Sequence, residues 1–194
     1  DSFEISQFEA VIFDLDSTLM DTQRYPMVAS EWLLRKSNVV SEEGMASFIR
    51  TLVTRYRQAT QSVVNGAPYQ NPLKIIKIAM ESSLIDLNIS VDLGLVEEAS
   101  RRFKSLHVEL SRPYTGVEEL LGSLESKRQK LGIITNSFEG NAQIILKKFN
   151  LDHYFMSIID CGTVQSYKPS SLLFEQAARD LDIGTSKILY VGDE

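Results

Sequence analysis

Asp14 and Asp16 stand in the stretch VIFDLDSTLMDT, residues 11–22, where the apolar run Val11-Ile12-Phe13 stops on two carboxylates, with Thr18 and Asp21 close behind. Burying unpaired charge is costly unless a metal or another charge matches it, so two acids at the end of a hydrophobic run point to a site. Partners stand later in the chain: Thr135-Asn136-Ser137 after LGIIT, Lys168-Pro169 in a loop, and Asp193-Glu194 after KILYVG. Two acids, a hydroxyl, an amine and a further acid suit phosphoryl transfer. Mg²⁺ takes a few carboxylates together with water and phosphate oxygens, which Asp14 and Asp193 can supply. A carboxylate can also attack phosphorus and split one hard displacement into two easier ones. The metal and Lys168 would stabilise charge on the equatorial oxygens, and the Thr135 hydroxyl can hydrogen-bond one of them. Asp16 is placed to protonate the leaving group and then accept a proton from water, which requires a carboxyl able to hold a proton near neutral pH.

These residues converge only if the elements around them form a parallel sheet, because ligands of such sheets bind at the carboxyl ends of the strands. Four short apolar segments, 10–15, 131–135, 156–160 and 187–192, read as buried parallel strands. Helical stretches at 139–150 and 170–182 separate the last three, and the alternation predicts an α/β fold with right-handed crossovers. Residues 22–111 follow a different pattern. Met45, Ile49, Leu52, Tyr56, Ala59 and Val63 recur at helical spacing, as do Leu73, Ile76, Met80, Leu84 and Leu87, and then Leu93, Val96, Phe103, Leu106 and Leu110. Ser41-Glu42-Glu43 and Asn71-Pro72 are helix starts. The expected architecture is a Rossmann-like parallel-sheet core, residues 1–21 and 112–194, with an α-helical bundle inserted at 22–111. The chain re-enters the core near Arg112-Pro113-Tyr114, ahead of a capping box at Thr115–Glu118.

With 194 residues, 43% of them hydrophobic, the chain can bury a sizeable core. Its 20 basic and 26 acidic residues give a net charge of −6 with no basic run, which argues against a nucleic-acid platform. A single cysteine, Cys161, excludes an intrachain disulfide and spells out no cysteine zinc site. No secretion signal precedes the first strand, and no apolar run approaches the roughly 18 residues of a membrane span. A cytoplasmic protein is expected. Because the sequence opens on Asp1 and not on Met, at least one preceding residue is expected as well.

FDLDSTL, IITNS, YKPSSLLFEQA and ILYVGDE resemble, in order, the four motifs of the haloacid dehalogenase (HAD) superfamily of phosphohydrolases. The helical block after DLDSTLMDT resembles the cap of its C1-capped branch, so the resemblance covers essentially the whole chain. It implies that Asp14 is the nucleophile, Asp16 the general acid and base, Thr135 with Asn136 the phosphate-binding pair, and Lys168 the charge-neutralising lysine. It also implies a Mg²⁺ held by Asp14, Asp193 and the backbone carbonyl of Asp16. The activity implied is Mg²⁺-dependent hydrolysis of a small phosphorylated metabolite through an aspartyl phosphate, as in phosphoglycolate phosphatases, with the helical cap closing over the substrate. A β-phosphoglucomutase-like sugar-phosphate mutase, and a non-catalytic member binding a phosphorylated ligand or a protein partner, are the alternatives. Dehalogenase and phosphonatase branches are disfavoured because they replace the second aspartate. Two departures stand out: Ser171 replaces a proline common after the Lys-Pro, and the chain stops at Glu194, before the family's second acidic residue, helix and further strand.

Other features have plainer readings. The spacing of Asp14, Asp16 and Thr18 resembles the start of a calcium loop, but Leu19 and Tyr25 stand where that loop needs Gly and Glu. Structural roles are expected for His107, in a bundle helix, for His153, in a turn, and for Cys161, as a small core residue. Arg50, Arg57 and Lys74 read as a solvated helix face.

Overall fold

In the computed structural model, residues 5–193 are described; Glu194, which the motif reading paired with Asp193, lies outside them. In chain order the elements are β1 (Ala10–Phe13), β2 (Met20–Asp21), α1 (Arg24–Lys36), α2 (Glu42–Val64), α3 (Pro72–Asp86), α4 (Leu93–Leu110), β3 (Arg112–Pro113), α5 (Val117–Ser126), β4 (Lys130–Thr135), α6 (Asn141–Lys148), β5 (Ser157–Asp160), α7 (Cys161–Val164), α8 (Ser171–Leu181) and β6 (Ile188–Val191). Among the described residues, those up to Thr22 and from Arg112 onward make one compact unit, and Gln23–Ser111 a second. The insert therefore begins at Gln23, one residue later than the sequence pattern places it.

The first unit is built on a parallel sheet in the order β5-β4-β1-β6. β1 is central, with Ile12 opposite Gly132 on one side and Tyr190 on the other. A central parallel strand is covered on both faces, which is why AVIF is apolar without alternation and all four of its residues are buried. On one face Ile12 packs with Ile134, Ile159, Leu173, Ala177 and Leu181, so the apolar side of α8 seals the sheet. β2 and β3 form a small antiparallel ribbon, Asp21 opposite Arg112, which the sequence pattern does not reveal at this length.

The first strand is shorter than the run 10–15. Pairing ends at Phe13, although the Asp14 N–H still donates to the Val191 carbonyl at 2.9 Å. The chain then turns: the N–H groups of Leu19 and Met20 both donate to the Leu15 carbonyl, and Ser17 takes a left-handed φ of 58°. The predicted capping box at Thr115 does not form. Gly116 occupies the N-cap of α5 at φ 87°, a conformation that suits glycine, and no side chain caps the helix.

In the helical unit α1 packs with α4 and α2, and α3 with α2 and α4. Ser41 and Asn71 cap α2 and α3 as the sequence predicts, accepting from the N–H groups of Gly44 and Lys74. α1 has no matching signal: it lacks a capping side chain and an acidic first turn, and it buries two small residues, Ala29 and Ser30, beside Leu33 and Leu34. On α4 the buried stripe is Val96, Ala99, Ser100, Phe103 and His107, while Leu93 is exposed. His107 takes a core position with the Tyr25 ring 4.8 Å away. Among the described residues no helix is long and apolar enough to cross a membrane.

Ile12 is fully buried between two neighbouring strands. Ile12→Ala is expected to destabilise the sheet unit by about 2–5 kcal/mol through lost burial and a residual cavity. The measurement is the midpoint of urea unfolding, and a loss under 1 kcal/mol would contradict this account of the core.

Candidate active site

The carboxyl ends of β1, β4 and β6, with the loop ahead of α8, carry all of the residues singled out for chemistry. Asp14 leaves β1 as the strand ends, and its residue is 4% exposed. Its Oδ2 receives the Lys168 ammonium at 2.8 Å, and the two side chains are only 5% and 6% exposed. The Leu15 N–H donates to the other oxygen, Oδ1, at 2.7 Å. Burial lifts the Asp14 carboxyl to about 6, opposed by the charge and hydrogen bond of Lys168, and the Asp16 charge adds to the rise. Burial works against the Lys168 ammonium too, but Asp14 outweighs it and, with Tyr190, holds the lysine above its ordinary value.

Lys168 arrives from a loop, and its neighbours fix it there. Tyr167 is fully buried, and its carbonyl accepts from the Ser170 N–H at 2.9 Å. The Asn136 side chain takes the Lys168 backbone as partner: its Oδ1 accepts from the Lys168 N–H at 2.7 Å, and its Nδ2 faces the Lys168 carbonyl at 3.5 Å. The sequence reading gave Asn136 to phosphate binding; the structure places its side chain on the lysine loop. At the tip of the lysine, Nζ donates to the Tyr190 hydroxyl at 3.1 Å. Sequence reasoning passed over Tyr190, although a phenol within the aliphatic ILYV strand was the available signal.

Thr135 ends β4 fully buried. Its hydroxyl accepts from the Ser137 N–H at 3.1 Å and lies 3.0 Å from Ser137 Oγ and 3.5 Å from Asp16 Oδ2. Thr135 and Asp16 are thereby neighbours, and Asp16 is half-buried where Asp14 is closed off. Asp160, at the end of β5, braces the same edge: one oxygen accepts from the Gly140 N–H at 2.9 Å and the other from Gly162 and Thr163. Of the residues with plainer readings, Cys161 is fully buried in the core, and His153 lies in a short turn with its ring 4.1 Å from that of Tyr154.

Asp193 follows β6 and is exposed. The register pairing Phe13 with Val191 sets it beside the turn that begins at Asp14. No group of three or more His, Cys, Asp or Glu side chains converges among the described residues. The oxygens that the resemblance assigns to Mg²⁺ are the Asp14 and Asp193 carboxylates and the Asp16 carbonyl. Such a set, with neither nitrogen nor sulfur, fits Mg²⁺, which keeps several waters and takes one or two carboxylates plus substrate oxygens.

The profile of the haloacid dehalogenase-like hydrolase family matches residues 11–194. A phosphoglycolate phosphatase from Xylella fastidiosa is 28% identical over 184 residues, covering 95% of this chain and 71% of that protein. A (S)-2-haloacid dehalogenase from a Pseudomonas species is 23% identical, covering 96% of this chain and 76% of that one. In fold, the chain superimposes with a TM-score of 0.76 on YfnB of Bacillus subtilis, described as a HAD-hydrolase bound to magnesium, at 19% identity and covering 96% and 80% of the two chains.

The buried pair makes a testable statement about pH. A carboxyl held above its ordinary value of 3.8 favours the folded chain fully below that pH, and this contribution is lost as pH rises through about 6. Removing the cation raises the carboxyl further, so Lys168→Met should lose stability relative to the unsubstituted protein as pH rises. In EDTA the variant should cost ~3–5 kcal/mol more at pH 8 than at pH 5, the penalty of an orphaned buried charge. Urea unfolding at the two pH values checks this, and an equal cost at both would refute the assigned coupling.

Proposed function

The chain belongs to the haloacid dehalogenase-like hydrolases, and from that premise we propose that it is a Mg²⁺-dependent phosphomonoester hydrolase of small phosphorylated metabolites, working through an aspartyl phosphate. The observation that carries this reading is the buried contact of Asp14 with Lys168, 2.8 Å apart, beside a second and more accessible carboxylate. One acid is held by a cation at the closed end of the site while the other is left to exchange protons. Two carboxylates in unlike environments are suited to unlike roles.

In the first step an Asp14 oxygen attacks phosphorus, the P–O bond to the leaving alcohol breaks, and Asp16 gives its proton to the departing oxygen. In the second, water attacks the same phosphorus, Asp16 takes its proton, and the bond between Asp14 and phosphorus breaks to release phosphate and restore both acids. Lys168 and the Thr135 hydroxyl stabilise the equatorial oxygens, and Asn136 holds the lysine loop in register. Asp14 and Asp193, with the Asp16 carbonyl, would hold Mg²⁺, which supplies charge neutralisation of the phosphoryl group. By the resemblance, the inserted helical unit is the element to which selection of the metabolite is assigned. The single cysteine favours a cytoplasmic setting.

Asp16 argues for ester hydrolysis over dehalogenation. An alkoxide needs a proton to leave, whereas a halide departs without one. A mutase would return the phosphoryl group to sugar, so the products separate the two.

The test is phosphate release from phosphoglycolate, sugar phosphates, nucleoside monophosphates and an aryl phosphate, with Mg²⁺ or EDTA. Turnover should require Mg²⁺, and Asp14→Asn should lower kcat more than about 10⁴-fold, as loss of a nucleophile does. Asp16→Asn should lower it by about 10²–10⁴-fold, the usual size of general acid–base catalysis. Undiminished turnover by Asp14→Asn would overturn the nucleophile assignment, and halide release from a 2-haloacid without phosphatase activity would overturn the substrate class.

A further inference from the structure

We propose that Tyr190 is a positioning residue for the reaction, acting through Lys168: its hydroxyl holds the ammonium at the phosphoryl site while Asp14 is engaged in the covalent intermediate. The inference rests on the phosphatase reading above. A lysine is a compact charge on a flexible four-carbon stem, so where its ammonium sits must be imposed by partners. In the resting protein Asp14 is one such partner, at 2.8 Å. During the reaction that partner changes. Once the bond between Asp14 and phosphorus forms and the ester bond breaks, the Asp14 carboxylate has become an acyl phosphate and no longer offers a full negative charge. This is the moment at which the lysine must stay against the equatorial oxygens.

Tyr190 is not consumed by the chemistry. Its oxygen lies 3.1 Å from Lys168 Nζ and, accepting through a hydroxyl, fixes the direction of the ammonium. The tyrosine is itself held from several sides. It belongs to β6, opposite Ile12 of the central strand, so its backbone position is set by the sheet and not by a loop. Its ring meets Phe174 of α8 edge to face, centroids 5.3 Å apart at 82°. Its hydroxyl end also fills the space at Gly192: a Cβ there would come within 2.6 Å of the Tyr190 oxygen. Glycine two residues after the tyrosine is therefore what lets the phenol lie along the strand end toward Lys168. The rigid sheet thus anchors the tip of a side chain that a loop supplies.

Tyr190→Phe deletes the hydroxyl and keeps the ring against Phe174, so it separates positioning from packing. The expected result is an unchanged thermal midpoint, KM within about twofold, and kcat lowered about 10- to 100-fold, the size of effect that misplacing a stabilising group produces. In a Lys168→Met background the same substitution should have no further effect on kcat, because the tyrosine acts through the lysine. Unchanged kcat in Tyr190→Phe, or an equal loss in both backgrounds, would overturn the proposal. If the unsubstituted protein hydrolyses no phosphomonoester, the phosphatase reading fails and the contact is read without turnover. The Lys168 ¹Hε–¹³Cε correlation, identified by its loss in Lys168→Met, should then move in Tyr190→Phe, and a static signal would overturn the tie.

Discussion

The buried ion pair between Asp14 and Lys168 is the constraint on which the rest of this site depends. Two opposite charges almost closed off from solvent are tolerated only when each satisfies the other and further hydrogen bonds complete the set. The Leu15 N–H and the Tyr190 hydroxyl supply those bonds. Because the acid comes from the first strand and the lysine from a loop more than 150 residues later, the pair closes only when the sheet between them has assembled. Stability and, in the proposed reading, chemistry therefore rest on the same contact, and the apolar strands carry its electrostatic cost.

The sheet also separates the two aspartates. Asp14 is still hydrogen-bonded to β6 through its N–H, whereas Asp16 lies beyond it on a turn closed at Leu15. One residue of spacing along that turn is enough to put one carboxyl in a closed environment and the other in a half-open one. In the proposed chemistry this difference, rather than the presence of two acids as such, divides the work between a nucleophile and a proton carrier. It also bears on the breadth of the family, whose members among the matched proteins include a phosphatase and a dehalogenase. In the proposed reading an alkoxide leaving group needs a proton and a halide does not, which is why the second acid favours the ester.

Much of this was legible in the residues. The run VIFDLD marks a buried strand ending in acids because apolar continuity is what a doubly covered parallel strand requires. Ser41 and Asn71 announced their helices because a cap is a local hydrogen bond, settled within a few residues. Local signals misled where a backbone conformation overrode them, as at Thr115, one residue ahead of the left-handed Gly116 that starts α5. They were silent where burial used small or polar residues, as in α1 with Ala29 and Ser30.

By itself the sequence determined the four strands of the parallel sheet and their order along the chain, a helical block between the first and second of them, and the acids, hydroxyl and lysine that mark strand ends and one loop. These are properties of periodicity and residue type, which neighbours along the chain reveal. Only the tertiary structure decided which of those groups touch. It placed the Asn136 amide on the backbone of Lys168, the Thr135 hydroxyl beside Asp16, and the Tyr190 phenol against the lysine tip. Such contacts join residues 22 to 119 positions apart, and they follow from strand order, register and the space left by Gly192, none of which spacing along a single chain can express.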